Sequence, residues 1–154
     1  MRSGKYRKAV FIVAYKKTKN LFGKEKIKYL VLKRHLHWKG WEFPKGGAEN
    51  GEKDLEIIQR ELFEEIGQRG FNIKSYNYSG RYKYKERLED RKGFIGQTFK
   101  LFSAEVKDKK IKIDKREHTT YKWMSFKKAM KILTWKNQQK ALEIVNKNLF
   151  GKRT

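Results

Sequence analysis

Residues 43–68, FPKGGAENGEKDLEIIQRELFEEIGQ, constrain this chain more than any other stretch, because a glycine-rich turn runs directly into a helix with two legible faces. Leu55, Ile58, Leu62, Phe63 and Ile66 recur at helical spacing and predict one apolar stripe facing a core. On the same helix Glu61 and Glu65 stand four apart and Glu64 three from Glu61, which crowds three carboxylates along an edge away from that stripe. Like charges at this spacing repel, so the cluster persists either as a well-solvated face or because a cation sits among the carboxylates. Three carboxylates suit a hard cation that keeps some waters and bridges to phosphate oxygens, a description that fits magnesium or manganese.

The turn before the helix, Lys45-Gly46-Gly47 followed by Gly51, lets backbone approach a ligand closely, and Lys45 is placed to neutralise phosphate. Arg60 follows Glu56 by four residues and Glu52 by eight, spacings that allow an ion pair bracing loop to helix. Residues 46–67 hold seven of the 17 acids and two of the 40 bases, in a chain of formal net charge +23. The basic remainder favours a polyanionic partner (nucleic acid, nucleotide or anionic membrane), or is a lysine-rich surface of the thermophile kind.

At 154 residues the chain has the length of one domain, spanning 1–154. Strand-like runs fall at 8–15, 27–33, 71–84, 97–106 and 119–124, with a hairpin loop at 16–26 turning on Asn20 and Gly23, and a charged loop at 85–93. Helical patterns cover 53–66, 126–133 after an N-cap at Ser125, and 137–149, where Ala141, Leu142, Val145 and Leu149 share a face. That order predicts a mixed sheet packed against helices, α/β or α+β. The absence of cysteine excludes disulfides, zinc-thiolate sites and thiol nucleophiles. No apolar run approaches the roughly 20 residues of a membrane span, and Ala9 to Tyr15 reads as a buried strand rather than a signal. The expectation is a soluble, cytoplasmic protein.

Gly46, Glu52, Arg60-Glu61-Leu62, Glu64-Glu65 and Gly67, at their spacing within 46–68, resemble the Nudix box of the Nudix hydrolases. A chance match is on the order of one in a billion per starting position at average residue usage. Gln68 departs from the pattern, which prefers an aliphatic residue there, a matter of packing more than of metal binding. KAVFIVAY, YLVLKR, WEFPKGG and EHTTYKWMSFKKAMKIL extend the resemblance over most of the chain. The PKG run is similar to asymmetric diadenosine tetraphosphate hydrolases. GFIGQTFKLFSAEV is similar to a strand of bacterial RNA pyrophosphohydrolases and plant dinucleoside-polyphosphate hydrolases.

The resemblance implies an α/β/α sandwich with a mixed β-sheet and hydrolysis of a phosphoanhydride with Mg2+ or Mn2+. It makes Glu61 and Glu65 the principal metal ligands, Glu64 a further ligand or base, and the Lys45 carbonyl the completion of the shell. Gly46, Glu52, Arg60 and Gly67 become the structural frame of the box. Glu117 is a candidate general base outside the box, with a surface ion pair to a nearby lysine as its equal alternative. The expected substrate is a nucleoside polyphosphate, first a dinucleoside polyphosphate such as diadenosine tetraphosphate. Triphosphorylated RNA 5′ ends are the alternative, and a non-catalytic RNA-binding module is the reading from another class. Tyr84 and Tyr121 are the preferred nucleobase-stacking pair among Trp38, Trp41, Phe99 and Trp135. Lys83, Lys85, Lys100 and Lys136 are candidate phosphate contacts, and His118 a candidate phosphate or base contact. His35 and His37 have ligand-like spacing but no carboxylate close in sequence, so no metal is expected there. The oligomeric state has no signature in the sequence.

Overall fold

The computed structural model describes residues 4–86 and 88–150, so residues 1–3 and 151–154 of the expected domain and Arg87 of the charged loop lie outside it. Strand β1 (Lys5–Lys19) is the centre of a seven-stranded mixed sheet. Its segment Ala9 to Tyr15 is continuously apolar because both faces are covered. Val10, Ile12 and Ala14 join one core cluster, while Phe11, Val13 and Tyr15 join the other. Helix α1 (Asp54–Ile66) closes the first cluster. Helices α2 (Phe126–Ile132) and α3 (Lys136–Phe150) close the second through Ala129, Ala141, Leu142 and Val145. The architecture is therefore an α/β/α sandwich.

The partners of β1 create the working cleft. Strand β2 (Glu25–Arg34) pairs antiparallel only with Tyr15 to Lys19, through a hairpin in which Asn20 Oδ1 accepts the amides of Phe22 and Lys24. Beyond Tyr15 the two strands diverge, and two three-residue strands fill the opening. Strand β3 (Gly40–Glu42) lies on β2, and β4 (Lys45–Gly47) lies on Ala9 to Phe11 of β1. Pro44 bridges them by accepting the Ile12 amide at 2.9 Å. On the other edge of β1, β6 (Phe94–Glu105) runs parallel and carries the antiparallel edge strand β5 (Phe71–Lys83). Strand β7 (His118–Met124) pairs with the free edge of β2. Among the described residues no helix is long and apolar enough to cross a membrane.

The helix α1 differs from its expected orientation. Leu55 and Phe63 are 58% and 61% exposed, whereas Ile57, Ile58, Leu62 and Ile66 are fully buried. The helix is rotated so that Glu61 and Glu65, expected away from the stripe, lie within its buried face. Each fully buried aliphatic contributes roughly 1.5–3 kcal/mol, enough to hold two carboxylates against the sheet. The helix ends where expected: Gly67 adopts φ +78°, a left-handed conformation glycine takes at no steric cost, and its amide donates to the Phe63 carbonyl. Gln68 is buried, and its side chain brackets the Lys107 backbone, accepting from the amide at 3.1 Å. A polar side chain thus takes the expected aliphatic position because a backbone group meets it there. Ser125 caps α2 as expected, accepting the Lys128 amide.

Candidate active site

The acidic face of α1 meets the cleft at Gly46. A Cβ on Gly46 would overlap the Glu61 carboxyl, so the glycine is what lets strand β4 and this carboxylate occupy the same place. The loop between them is braced by Arg60, whose Nε and Nη2 take both Glu52 oxygens at 2.7 and 2.8 Å, while Nη2 also donates to the Gly47 carbonyl. The bidentate pair from Arg60 holds the Glu52 carboxyl down at about 2. The expected loop-to-helix ion pair therefore runs to Glu52. Glu56 instead accepts the Lys53 amide at the start of the helix.

The two buried carboxylates are held at an electrostatic cost. Burial pushes the Glu61 carboxyl up to about 7, against the pull of Arg60 and with added repulsion from Glu64 and Glu117. Burial raises Glu65 well above the usual carboxylate range, reinforced by Glu61, Glu117 and Glu42. The Lys45 amide donates to Glu65 Oε2 at 3.2 Å, tying the turn to the helix. Carboxylate oxygens of Glu65 and Glu117 and a ring nitrogen of His118 all lie within 4.8 Å of one another. Buried acids that repel one another, with a glycine clearing space among them, have the donor chemistry of a divalent cation site. Glu64 stands apart: its side chain is half exposed and paired with Arg60 Nη1 at 3.2 Å.

Sequence reasoning missed Glu42 and Arg34. Glu42 is fully buried, with Arg34 Nη1 at 2.9 Å, His118 Nε2 at 2.8 Å and Lys45 Nζ at 3.2 Å. Burial alone would raise its pKa, but Lys45, His118 and Arg34 together hold it below the usual carboxylate range. The signal available was a lone glutamate in the apolar run WEFP, whose partners are distant in sequence or outside any pattern.

Arg34 and Lys45 reach from this hub into a cavity of about 470 Å³ that Trp38, Tyr82, Tyr84 and Trp135 also line. Trp38 and Trp135 meet edge to face at 5.2 Å, and Lys45 Nζ lies 5.6 Å from the Trp38 ring. Lys83 and Lys85 line the cavity as well. Of the expected stacking pair, Tyr84 is at the wall with its hydroxyl donating to Gln97. Tyr121 is elsewhere, packed against the core cluster beneath α1, because its register opposite Leu32 turns it to that face. Phe99 is stacked on Phe11 in the core, and Trp41 packs against the same cluster. Lys100 pairs with Asp54, and Lys136 is not among the lining residues. His35 bonds the Lys115 carbonyl and His37 pairs with Asp90, so neither joins the acidic cluster.

Residues 5–144 match the family model of the NUDIX domain. An RNA pyrophosphohydrolase of Baumannia cicadellinicola is 34% identical over 104 residues, 60% of this chain and 65% of that protein. An RNA pyrophosphohydrolase of Shewanella frigidimarina is 32% identical over 97 residues, 56% of each chain. The chain spans less than two thirds of the length of these curated relatives. The crystal structure of a C. elegans Ap4A hydrolase superposes with a TM-score of 0.71 over 94% of this chain and 98% of that one, at 24% identity, which shows a shared fold.

Proposed function

Because the chain belongs to the NUDIX domain family, we propose that it is a pyrophosphohydrolase that cleaves a phosphoanhydride bond of a nucleoside polyphosphate with a divalent cation, Mg2+ or Mn2+. The observation that carries this reading is the junction of two environments: buried, mutually repelling carboxylates on α1, and a basic, aromatic-walled cavity joined to them through Glu42, Lys45 and Arg34. A bound divalent ion supplies Lewis acidity toward phosphate oxygens and a more acidic water. Glu61 and Glu65 hold it, with the Lys45 carbonyl beside them. Glu117, with a carboxylate oxygen within 4.8 Å of one of Glu65, takes the proton from the attacking water. Arg34 and Lys45 offset phosphate charge in the cavity, and Trp38, Trp135 and Tyr84 receive the nucleoside. The half-exposed Glu64, paired with Arg60, supports the brace rather than the proton transfer.

A dinucleoside polyphosphate such as diadenosine tetraphosphate suits the cavity, whose volume and aromatic walls fit one nucleoside. A second reading, removal of pyrophosphate from triphosphorylated RNA 5′ ends, is supported by the formal net charge of +23 and by the named activity of the sequence relatives. An RNA tail rewards an extended basic surface, whereas a short ligand needs few cations. A cytoplasmic location accords with either substrate. Chromatographic product analysis on both substrates with Mg2+, using Glu65→Gln as control, tests the proposal. ATP plus AMP from diadenosine tetraphosphate supports the first substrate, and pyrophosphate from RNA supports the second. Hydrolysis undiminished by chelator or by Glu65→Gln would sink the proposal altogether.

A further inference from the structure

His118 opens strand β7 beside Glu117 and is fully buried. Its Nε2 lies 2.8 Å from Glu42 Oε2. Arg34 Nη1 donates to the same Glu42 oxygen at 2.9 Å and Lys45 Nζ lies 3.2 Å from the other, so Glu42 is the acceptor on both oxygens and Nε2 is the donor. The opposite nitrogen, Nδ1, is buried and has no hydrogen-bond partner among the described residues. In the tautomer whose hydrogen is on Nε2, the ring's lone pair is on Nδ1. An unpartnered polar atom in so buried a place is costly unless something binds it. The same side chain offers a nitrogen within 4.8 Å of carboxylate oxygens of both Glu65 and Glu117.

We propose that His118 is a metal ligand through Nδ1, adding one nitrogen to the carboxylate site that Glu65 helps to hold and so favouring Mn2+ and Co2+ over Mg2+, with Glu117 beside it as the base. An imidazole that gives its N–H to a carboxylate and its lone pair to a metal is a recurrent arrangement; here the Glu42 bond fixes the tautomer, and Arg34 and Lys45 hold the Glu42 carboxyl in place. Magnesium takes oxygen donors almost exclusively, whereas manganese and cobalt accept imidazole, so one nitrogen in the set shifts the preference between them. The inference rests on the reading of the acidic cluster as a cation site and adds the identity of one donor.

The test is electron spin echo envelope modulation of the Mn2+-loaded full chain, prepared with 14N-histidine and with 15N-histidine. A modulation that changes with the isotope, and disappears in His118→Phe, is the expected result. Titration calorimetry accompanies it, with the Mn2+ to Mg2+ affinity ratio expected to fall at least about 10-fold in His118→Phe. The isotope comparison on the unmodified protein needs no variant, and His118→Gln serves as a second substitution if the phenylalanine does not fold. An isotope-insensitive Mn2+ signal, or an isotope-sensitive one that survives in both variants, overturns the nitrogen ligand. In that case hydrolysis with intact Mn2+ binding leaves the proposed function standing, whereas failure to bind either ion together with absence of turnover removes both.

Discussion

Without metal, this protein should become less stable as the pH rises, because the Glu61 and Glu65 carboxyls are both raised by burial. The Glu61 carboxyl is lifted from 4.5 to about 7 by burial, with Arg60 opposing and Glu64 and Glu117 adding to it. The folded state therefore holds a proton that the unfolded chain releases near 4.5. No penalty exists below that value; it grows between about 4.5 and 7 and is complete above 7. At about 1.4 kcal/mol for each pH unit of displacement, the full penalty is about 3 kcal/mol. For a chain of 154 residues this corresponds to a fall of roughly 6–12 °C in Tm. Glu65 acts in the same direction. Glu52, held at about 2, is ionised throughout this window, and His37, lowered by burial, works weakly the other way. The assay is thermal unfolding followed by circular dichroism in chelator from pH 5 to 8, on the parent and on Glu61→Gln. The variant should show a shallower slope and exceed the parent in Tm at pH 8, and added Mn2+ should restore the parent alone. A metal-free parent whose Tm is flat or rises over this range would refute the electrostatic account of the cluster.

Gly46→Ala should leave the sheet folded but weaken divalent-cation affinity by at least about 10-fold, because its Cβ displaces the Glu61 carboxyl; calorimetry reads this directly. Arg60→Ala removes the bidentate bond to Glu52 and the donor to Gly47, and denaturant unfolding should show a loss of about 2–3 kcal/mol. Leu62→Ala should cost about 2–5 kcal/mol, whereas Phe63→Ala should stay within about 1 kcal/mol; equal losses would contradict the rotated seating of α1. Trp38→Ala should raise KM for a nucleoside polyphosphate several-fold or more with a smaller change in kcat, as expected for a stacking wall remote from the bond cleaved.

The elements legible in the sequence were those whose periodicity is local. The run from Ala9 to Tyr15 is apolar throughout because helices cover both faces of β1, and α1 declared its length through its spacing and Gly67. Strands β3 and β4 were not legible, since three residues carry no period and both exist by pairing with longer strands. The rotation of α1 escaped for a related reason. Leu55 and Phe63 fit an ideal stripe, but tertiary packing favoured Ile57 and turned two glutamates inward. The carboxylates and the Arg60 brace were readable as a spaced motif on one segment. Glu42 and His118 were not, because their hydrogen bond spans 76 residues and joins strands on opposite edges of β2. Tyr121 looked like a wall of the site from its charged neighbours, yet strand register assigns its face.

The parallel pairing of β1 with β6 also bears on how the protein is made. Lys5 meets Phe94 and Tyr15 meets Glu105, so the central strand of the sheet waits for a partner some ninety residues downstream. During synthesis the hairpin with β2 arrives early but covers only Tyr15 to Lys19. The apolar segment Ala9 to Tyr15 therefore gains β4 along Ala9 to Phe11 on one edge once residue 47 has emerged, but keeps its other edge open until residue 105 has followed it. Lys5, Arg7 and Lys8 on one side and Lys16, Lys17 and Lys19 on the other flank that segment with charge, as gatekeepers do around strands that would otherwise associate between nascent chains.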